Sequence, residues 1–480
     1  CLQCHLEPTA LPLPHSLVKY GREPFSYSPA EPLGDFMLFF DHAPGSKYQN
    51  DFEIAHSAYR LRKSKCFVAS AGKMTCTTCH DPHDVPRGER ATAHYNGVCA
   101  SCHAKLPVAH PAKIDCVSCH MPKRTTDDVI HAVMTDHYIS RRPPVRKVPT
   151  QERAEFDENQ YRGAVVPYYP LPLPATPDNA LLAAVAQVTQ KSDLLRGIPR
   201  LAAEIARLKP ERHEPYVELG EAWMASGKPA NAIQAFDEAL RRRPDSIFAL
   251  MNLADALTQT SQAAQAVTLL EKATTALPAQ PLLWYQLGIA RAKAGLTPAA
   301  AEALATSVSL DPEVAEVRQQ LGALLLALRR PREAEAEFEK ALEINPDWAD
   351  ALSSLGEVRG MQGRMPEAAF FLGRATTVAP QAVPARVNYA TALTALGNLG
   401  EALKQVNEAI RLDAKLPTPY FIKGVILERQ SKLDLALLQF ETALRLKPDF
   451  PAAHMGAARI FTAKGQPAAA QRHLDQARPK

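Results

Sequence analysis

PEVAEVRQQLGALLLALRRPREAEAEFEKALEINP, from Pro312 to Pro346, is one period of a repeat that sets the fold of most of this 480-residue chain. Pro210, Pro244, Pro278, Pro312, Pro346, Pro380 and Pro448 keep a step of 34, and only Ala414 departs from it. Ala232, Ala266, Ala300, Ala334, Ala368, Ala402, Ala436 and Ala470 keep the same step. Gly220, Gly288, Gly322, Gly356 and Gly424 form a third column, with Ala254, Ala390 and Ala458 filling its gaps. Small residues suit places where two helices touch, and proline suits the place where a helix must stop. The columns predict a mainly α chain of stacked helix hairpins.

This pattern resembles the tetratricopeptide repeat, whose 34-residue unit places small residues and proline in such columns. Eight repeats run from His213 to Lys480, with a degenerate one before them between Asn179 and Glu211. The resemblance implies an α-solenoid over 179–480 in which each repeat contacts its neighbours and the first helices line a groove. Phe248, Met251, Leu282, Tyr285, Ile289, Phe421, Val425 and Met455 fall in the groove columns, a surface suited to a peptide or helical partner. Packing between helices is the competing assignment for some of them.

Outside the repeats the composition changes. All nine cysteines precede residue 120, and twelve of the fifteen histidines precede residue 140. RRPPVRKVPT from Arg141 and VVPYYPLPLPATPD from Val165 then interrupt any helix, so 141–178 reads as a stiff proline-rich linker. The expected organisation is a cofactor domain over 1–140, that linker, and the solenoid over 179–480. A net charge of +4 without a polybasic block gives no reason to expect nucleic acid as a partner. No apolar run reaches the roughly 18 residues of a membrane helix.

Four copies of one motif occupy the first segment: CLQCH (Cys1 to His5), CTTCH (Cys76 to His80), CASCH (Cys99 to His103) and CVSCH (Cys116 to His120). Cys-x-x-Cys pairs alone read as disulfide, metal or haem chemistry, and the following histidine selects c-type haem. The thiols of Cys1, Cys4, Cys76, Cys79, Cys99, Cys102, Cys116 and Cys119 would add to porphyrin vinyl groups. His5, His80, His103 and His120 would ligate iron from one face. Zinc ribbons need paired knuckles and no such histidine. Four covalent haem c groups are expected, crowded enough to form much of the local core, with little regular structure between attachment turns.

Each iron has a second axial position, and eight histidines remain for it. His83 leads, because His80-Asp81-Pro82-His83 sends a second imidazole away from its own haem. His137 and His42 each follow a carboxylate, Asp136 and Asp41, able to orient a ring. His56, His94, His110 and His131 are further candidates, and His15 in a proline-rich turn is the weakest. Met37, Met74, Met121 and Met134 are rival ligands, but abundant imidazole favours bis-histidine iron. Arg60, Arg62, Lys63 and Lys65 read as propionate partners or as a solvated cluster. Cys66, outside every motif, reads as a small buried hydrophobe or as a metal, interchain or modification site.

CHDPHDVPRGE (Cys79 to Glu89), CHMPKR (Cys119 to Arg124), VIHAVMTDHYISRRPP (Val129 to Pro144) and FEIAHSAYRLRKSKCF (Phe52 to Phe67) resemble secreted bacterial multihaem c-type cytochromes fused to tetratricopeptide repeats. That resemblance implies distal ligation by His83 and His137, then by His56, His94 and His110. It implies an electron carrier rather than an enzyme, working with redox partner proteins or copies of itself. A cytochrome filament subunit and an oxidoreductase acting on a small nitrogen or sulfur compound are the alternatives. Covalent haem attachment in bacteria occurs outside the cytoplasmic membrane, so a periplasmic or extracellular protein made with a signal peptide is expected. Because residue 1 is a motif cysteine and histidines outnumber irons, further haems are expected before it in the intact product.

Overall fold

The computed structural model describes residues 16–23, 26–28, 31–45, 57–71, 73–81, 86–87, 89–103, 115–125, 133–139, 163–189, 191 and 193–478. They divide into two compact units, Cys1–Ala256 and Leu257–Lys480.

In the first unit, chain order runs β1 (Ser16–Val18), α1 (Leu33–Phe36), β2 (Met37–His42), α2 (Ser57–Lys63), α3 (Lys65–Ala69), α4 (Cys76–Cys79), α5 (Glu89–Cys102) and α6 (Cys116–His120). Then come β3 (Lys123–Thr125), β4 (Val133–Thr135) and β5 (Val165–Tyr169). The helical repeats begin with α7 (Pro177–Thr189) and α8 (Leu194–Leu208), followed by α9 (Glu214–Ala225) and α10 (Pro229–Arg242). Strands β1, β2 and β5 form an antiparallel sheet with β2 in the middle, and β3 pairs with β4.

The proline-rich stretch from Val165 is therefore not the free polyproline connector expected from sequence. It is an edge strand, with Pro167 opposite Phe40 in the ladder. A proline lacks a donor, and an edge strand leaves half of its backbone groups outside the ladder, so the edge tolerates it. Leu38, Phe40 and Val165 on one sheet face pack against Leu182, Ala183 and Ala186 of α7. Gln187 on α7 stitches the two together: its Oε1 accepts from the Val165 N–H at 2.8 Å, and its Nε2 donates to the Gly163 carbonyl at 3.2 Å. The sheet thus covers one face of α7 and shares a core with the first repeats. The helices also start at Pro177, two residues before the boundary read from sequence.

The small-residue columns have a steric cause. A Cβ built on Gly220 of α9 would lie 2.3 Å from Phe236 Cε1 of α10, so only glycine fits under that ring. In the second unit Gly322 stands likewise beneath Phe338, and Gly424 beneath Phe440, each leaving 2.6 Å for a Cβ. Where the column carries Ala390, the partner is the smaller Val406. The period is thus a size match between two helices of one hairpin.

The hairpins of the second unit reach their last helices at Pro451–Ala463 and Pro467–Ala477. Each column proline falls just past a helix end, as with Pro346 after Ile344, and its carbonyl has no place in the helical ladder. A column not apparent in the sequence satisfies it six residues later. Trp284 donates to the Pro278 carbonyl, Arg318 to Pro312, Arg386 to Pro380, Tyr420 to Ala414, and His454 to Pro448. These donors share no chemistry beyond an N–H or O–H at the right reach, which is why they form no visible pattern. Of the groove columns, Phe248, Leu282 and Met455 are exposed. Phe421 instead packs between Phe440 and Phe450, as the competing assignment had it. No helix among the described residues is long and apolar enough to cross a membrane.

Candidate haem-attachment site

Three of the four motifs lie within the described residues: Cys76–Cys79 and Cys116–His120 are single helical turns, and Cys99–Cys102 is the last turn of α5. The His80 N–H bonds the Cys76 carbonyl at 2.9 Å and the His103 N–H bonds that of Cys99 at 3.0 Å. Such a turn sets both sulfurs along one edge and turns the imidazole away beside them. Local chemistry fixes each one. Thr75 and Thr78 form a reciprocal capping box over α4, Asp115 caps α6 through the Val117 N–H, and α6 is held to α5 by the Asn96 side chain accepting from the Cys116 N–H at 2.8 Å. The first motif, Cys1 to His5, lies outside the described residues, as do His15, His56, His83, His110 and His131.

The thiols gather. Burial pushes the Cys99 thiol up to about 11, helped by the neighbouring Cys116, and pushes Cys79 up, helped by Cys76, Cys102 and Cys66. Cys66 on α3 is raised by burial and then by Cys102, so it stands among the motif thiols rather than apart from them. All seven described cysteines are free thiols, half-buried except for the exposed Cys102.

Among the described histidines, the fold brings His80 and His137 together, with ring centres 6.1 Å apart. His137 Nδ1 donates to the Thr135 carbonyl at 3.0 Å, which places its proton on Nδ1 and makes Nε2 the acceptor nitrogen. His80 Nδ1 meets the Tyr95 hydroxyl at 3.3 Å. Two imidazoles bound to opposite sides of one metal ion through nitrogens about 2 Å away put their ring centres about 6 Å apart, and the separation of this pair matches that distance. The residues present suit a haem held by Cys76 and Cys79.

Other candidates sit differently. His94 turns Nε2 to the Cys79 carbonyl at 3.1 Å and packs edge-on against Tyr95. His42 is buried at the end of β2, with Nδ1 3.6 Å from Asp41 Oδ1. The Asp136 carboxylate takes a two-pronged contact from Arg60, with Nε to Oδ1 at 2.9 Å and Nη2 to Oδ2 at 2.7 Å. Of the basic cluster, Arg60, Arg62 and Lys63 on α2 have internal partners, while Lys65 at the start of α3 is exposed. Arg62 stacks on Phe67 and Tyr169, and Lys63 pairs with Asp41 at 2.8 Å. Desolvation was strong enough to demand internal partners, and those lie too far along the chain for spacing to reveal. Tyr95, Asn96 and the Arg60–Asp136 pair escaped the sequence reading for the same reason. Among the described residues no three His, Cys, Asp or Glu side chains gather as a multidentate metal site. A haem iron asks for only two imidazoles.

Residues 68–108 match the family described as the doubled CXXCH motif, which points to covalently bound haem c, and residues 423–479 match the tetratricopeptide repeat. The Protein CTR9 homolog of Arabidopsis thaliana is 26% identical over 53% of this chain and 25% of its own length. The Protein O-mannosyl-transferase TMTC1 of Homo sapiens is 29% identical over 33% of this chain and 17% of its own. The chain thus spans a quarter or less of these curated relatives. Among solved structures, the anaphase-promoting-complex hetero-tetramer Cut9-Hcn1 has a TM-score of 0.44 at 15% identity, covering 59% of this chain and 55% of that one. A tetratricopeptide repeat protein from Parabacteroides merdae has a TM-score of 0.40 at 17% identity, covering 55% of this chain and 98% of that one. Residues 177–418, half of the chain, match the cilia and flagella-associated protein 70 C-terminal domain, and through them the chain belongs to that family of tetratricopeptide-repeat proteins.

Proposed function

We propose that this chain is a multihaem electron carrier whose repeats serve as a docking scaffold. Each of its four motifs attaches one haem c, and low-spin, bis-histidine irons pass single electrons between closely spaced porphyrins. The single observation that carries this reading is the His80–His137 pair, two imidazoles at the separation one iron needs, beside the free thiols of Cys76 and Cys79. The groove residues Phe248, Leu282 and Met455 offer apolar contact to a protein or peptide partner. Covalent haem places the protein in the periplasm or outside the cell, as the resemblance to secreted bacterial cytochromes implies.

Electron transfer is preferred to catalysis because the eight histidines outside the motifs exceed the four irons two to one, leaving little reason for an open axial position. The test is the absorption and magnetic-resonance spectrum of the oxidised holoprotein. Wholly low-spin iron supports a carrier, and a high-spin haem in the unmodified protein would replace this reading with an enzyme acting at that iron.

A further inference from the structure

Arg60 and Asp136 are each only 4% exposed and form a two-pronged ion pair between α2 and the segment after β4. Burying two charges costs several kcal/mol per ion in desolvation, and a buried pair is weak evidence of added stability. What such a pair does well is select one geometry, because the fork of a guanidinium and the two oxygens of a carboxylate meet in one orientation.

That geometry concerns the residue next door. Asp136 Oδ1 also accepts from the Tyr138 N–H at 2.9 Å, and the Arg60 guanidinium lies 5.1 Å from the centre of the Tyr138 ring. The Asp136 N–H bonds the Pro122 carbonyl at 3.0 Å, and Thr135 is paired with Lys123 in the β3–β4 ladder. His137 is therefore held on both sides, by Asp136 before it and Tyr138 after it, and its Nδ1 is fastened to Thr135. The remaining freedom of the ring is small, and its centre lies 6.1 Å from that of His80.

We propose that Arg60 is a positioning residue for the haem of Cys76 and Cys79: its fork on Asp136 sets the backbone that presents His137 opposite His80. This rests on the reading that the two histidines share an iron. It also gives α2 a role beyond packing, since Lys63 and Arg62 on the same helix hold β2 and β5. One short helix thereby ties an axial ligand to the sheet that covers the first repeats.

The test uses the full-length holoprotein and compares Arg60→Gln, Arg60→Lys, Asp136→Asn and His137→Ala. The oxidised spectrum of each is read for spin state, and its mass for the number of attached porphyrins. Arg60→Gln and Asp136→Asn are expected to convert one haem equivalent to high spin, the same one that His137→Ala converts, with the porphyrin count unchanged. Added imidazole should restore the low-spin signal in Arg60→Gln and His137→Ala alike. Arg60→Lys, which keeps the charge and loses the fork, should convert a smaller fraction. If His137→Ala converts one haem while Arg60→Gln converts none, the positioning role is overturned and the ligand assignment stands. Conversion of several haems by Arg60→Gln would also overturn it, by showing general loss of packing. An unchanged spectrum in His137→Ala would overturn the ligand assignment itself, and the positioning role with it.

Discussion

Gly424 lies so close beneath the ring of Phe440 that a methyl group on it would come within 2.6 Å of Cε1. Phe440 is fully buried, and Gly456 of the following repeat closes on the same ring, leaving 2.8 Å for a Cβ. Gly424→Ala must displace the ring or part the helices, a cost of roughly 1–3 kcal/mol by overpacking. Phe440→Ala leaves a cavity instead and should cost about 3–5 kcal/mol. Combining them should cost less than the sum of the two, because the methyl group then enters the space the ring has left. Thermal or urea unfolding of the three variants checks this, and strict additivity would show that the two residues do not share the space.

The sheet over α7 makes a second prediction. Leu182, Ala183 and Ala186 are buried under Leu38, Phe40 and Val165. A chain beginning at residue 179 would expose that apolar face and strip Gln187 of its two backbone partners. It should unfold from its first hairpin, with early loss of amide protection in α7 and α8. Equal protection of α7 in the full chain and in the 179–480 fragment would show that the sheet contributes nothing.

Acid should act at the far end. His454 Nε2 donates to the Pro448 carbonyl, which leaves Nδ1 to accept from His473 Nδ1 at 2.9 Å. Burial, then His454 and Arg472, hold His473 below its ordinary value, against the opposing pull of Glu441. The folded state therefore binds this proton less readily than the unfolded one. Its contribution is complete above the ordinary histidine range near 6.5 and is lost as pH falls through the lower folded value. Amide protection over 451–477, with the intrinsic pH dependence of exchange divided out, should fall from pH 7.5 to 5, and His473→Gln should remove much of that change. Protection factors that do not change with pH in the unmodified chain would contradict the neutral pair.

The sequence made the repeat legible because its causes are local: Gly322 and Phe338 meet within one hairpin, and a column proline follows one helix end. The motif turns were legible for the same reason, since the cap of α4 lies within four residues of it. What stayed hidden depends on distant partners. Pro167 advertised a connector, yet β2 lies more than a hundred residues earlier and accepts it at an edge. Arg60, Arg62 and Lys63 advertised a ligand for propionates, yet burial gave each an internal partner. The Thr135 carbonyl bonds the His137 ring, a backbone partner that the residue types could not announce.

The mass of the unfolded, purified holoprotein tests the central claim most directly. Thioether bonds survive denaturation, whereas haem held by axial ligands alone, or zinc held by thiolates, does not stay with the chain. The account predicts a chain carrying four porphyrins, one for each Cys-x-x-Cys-His motif, with peptides 68–108 bearing two of them. A chain of bare polypeptide mass, with every motif cysteine still titrating as a thiol, would contradict it.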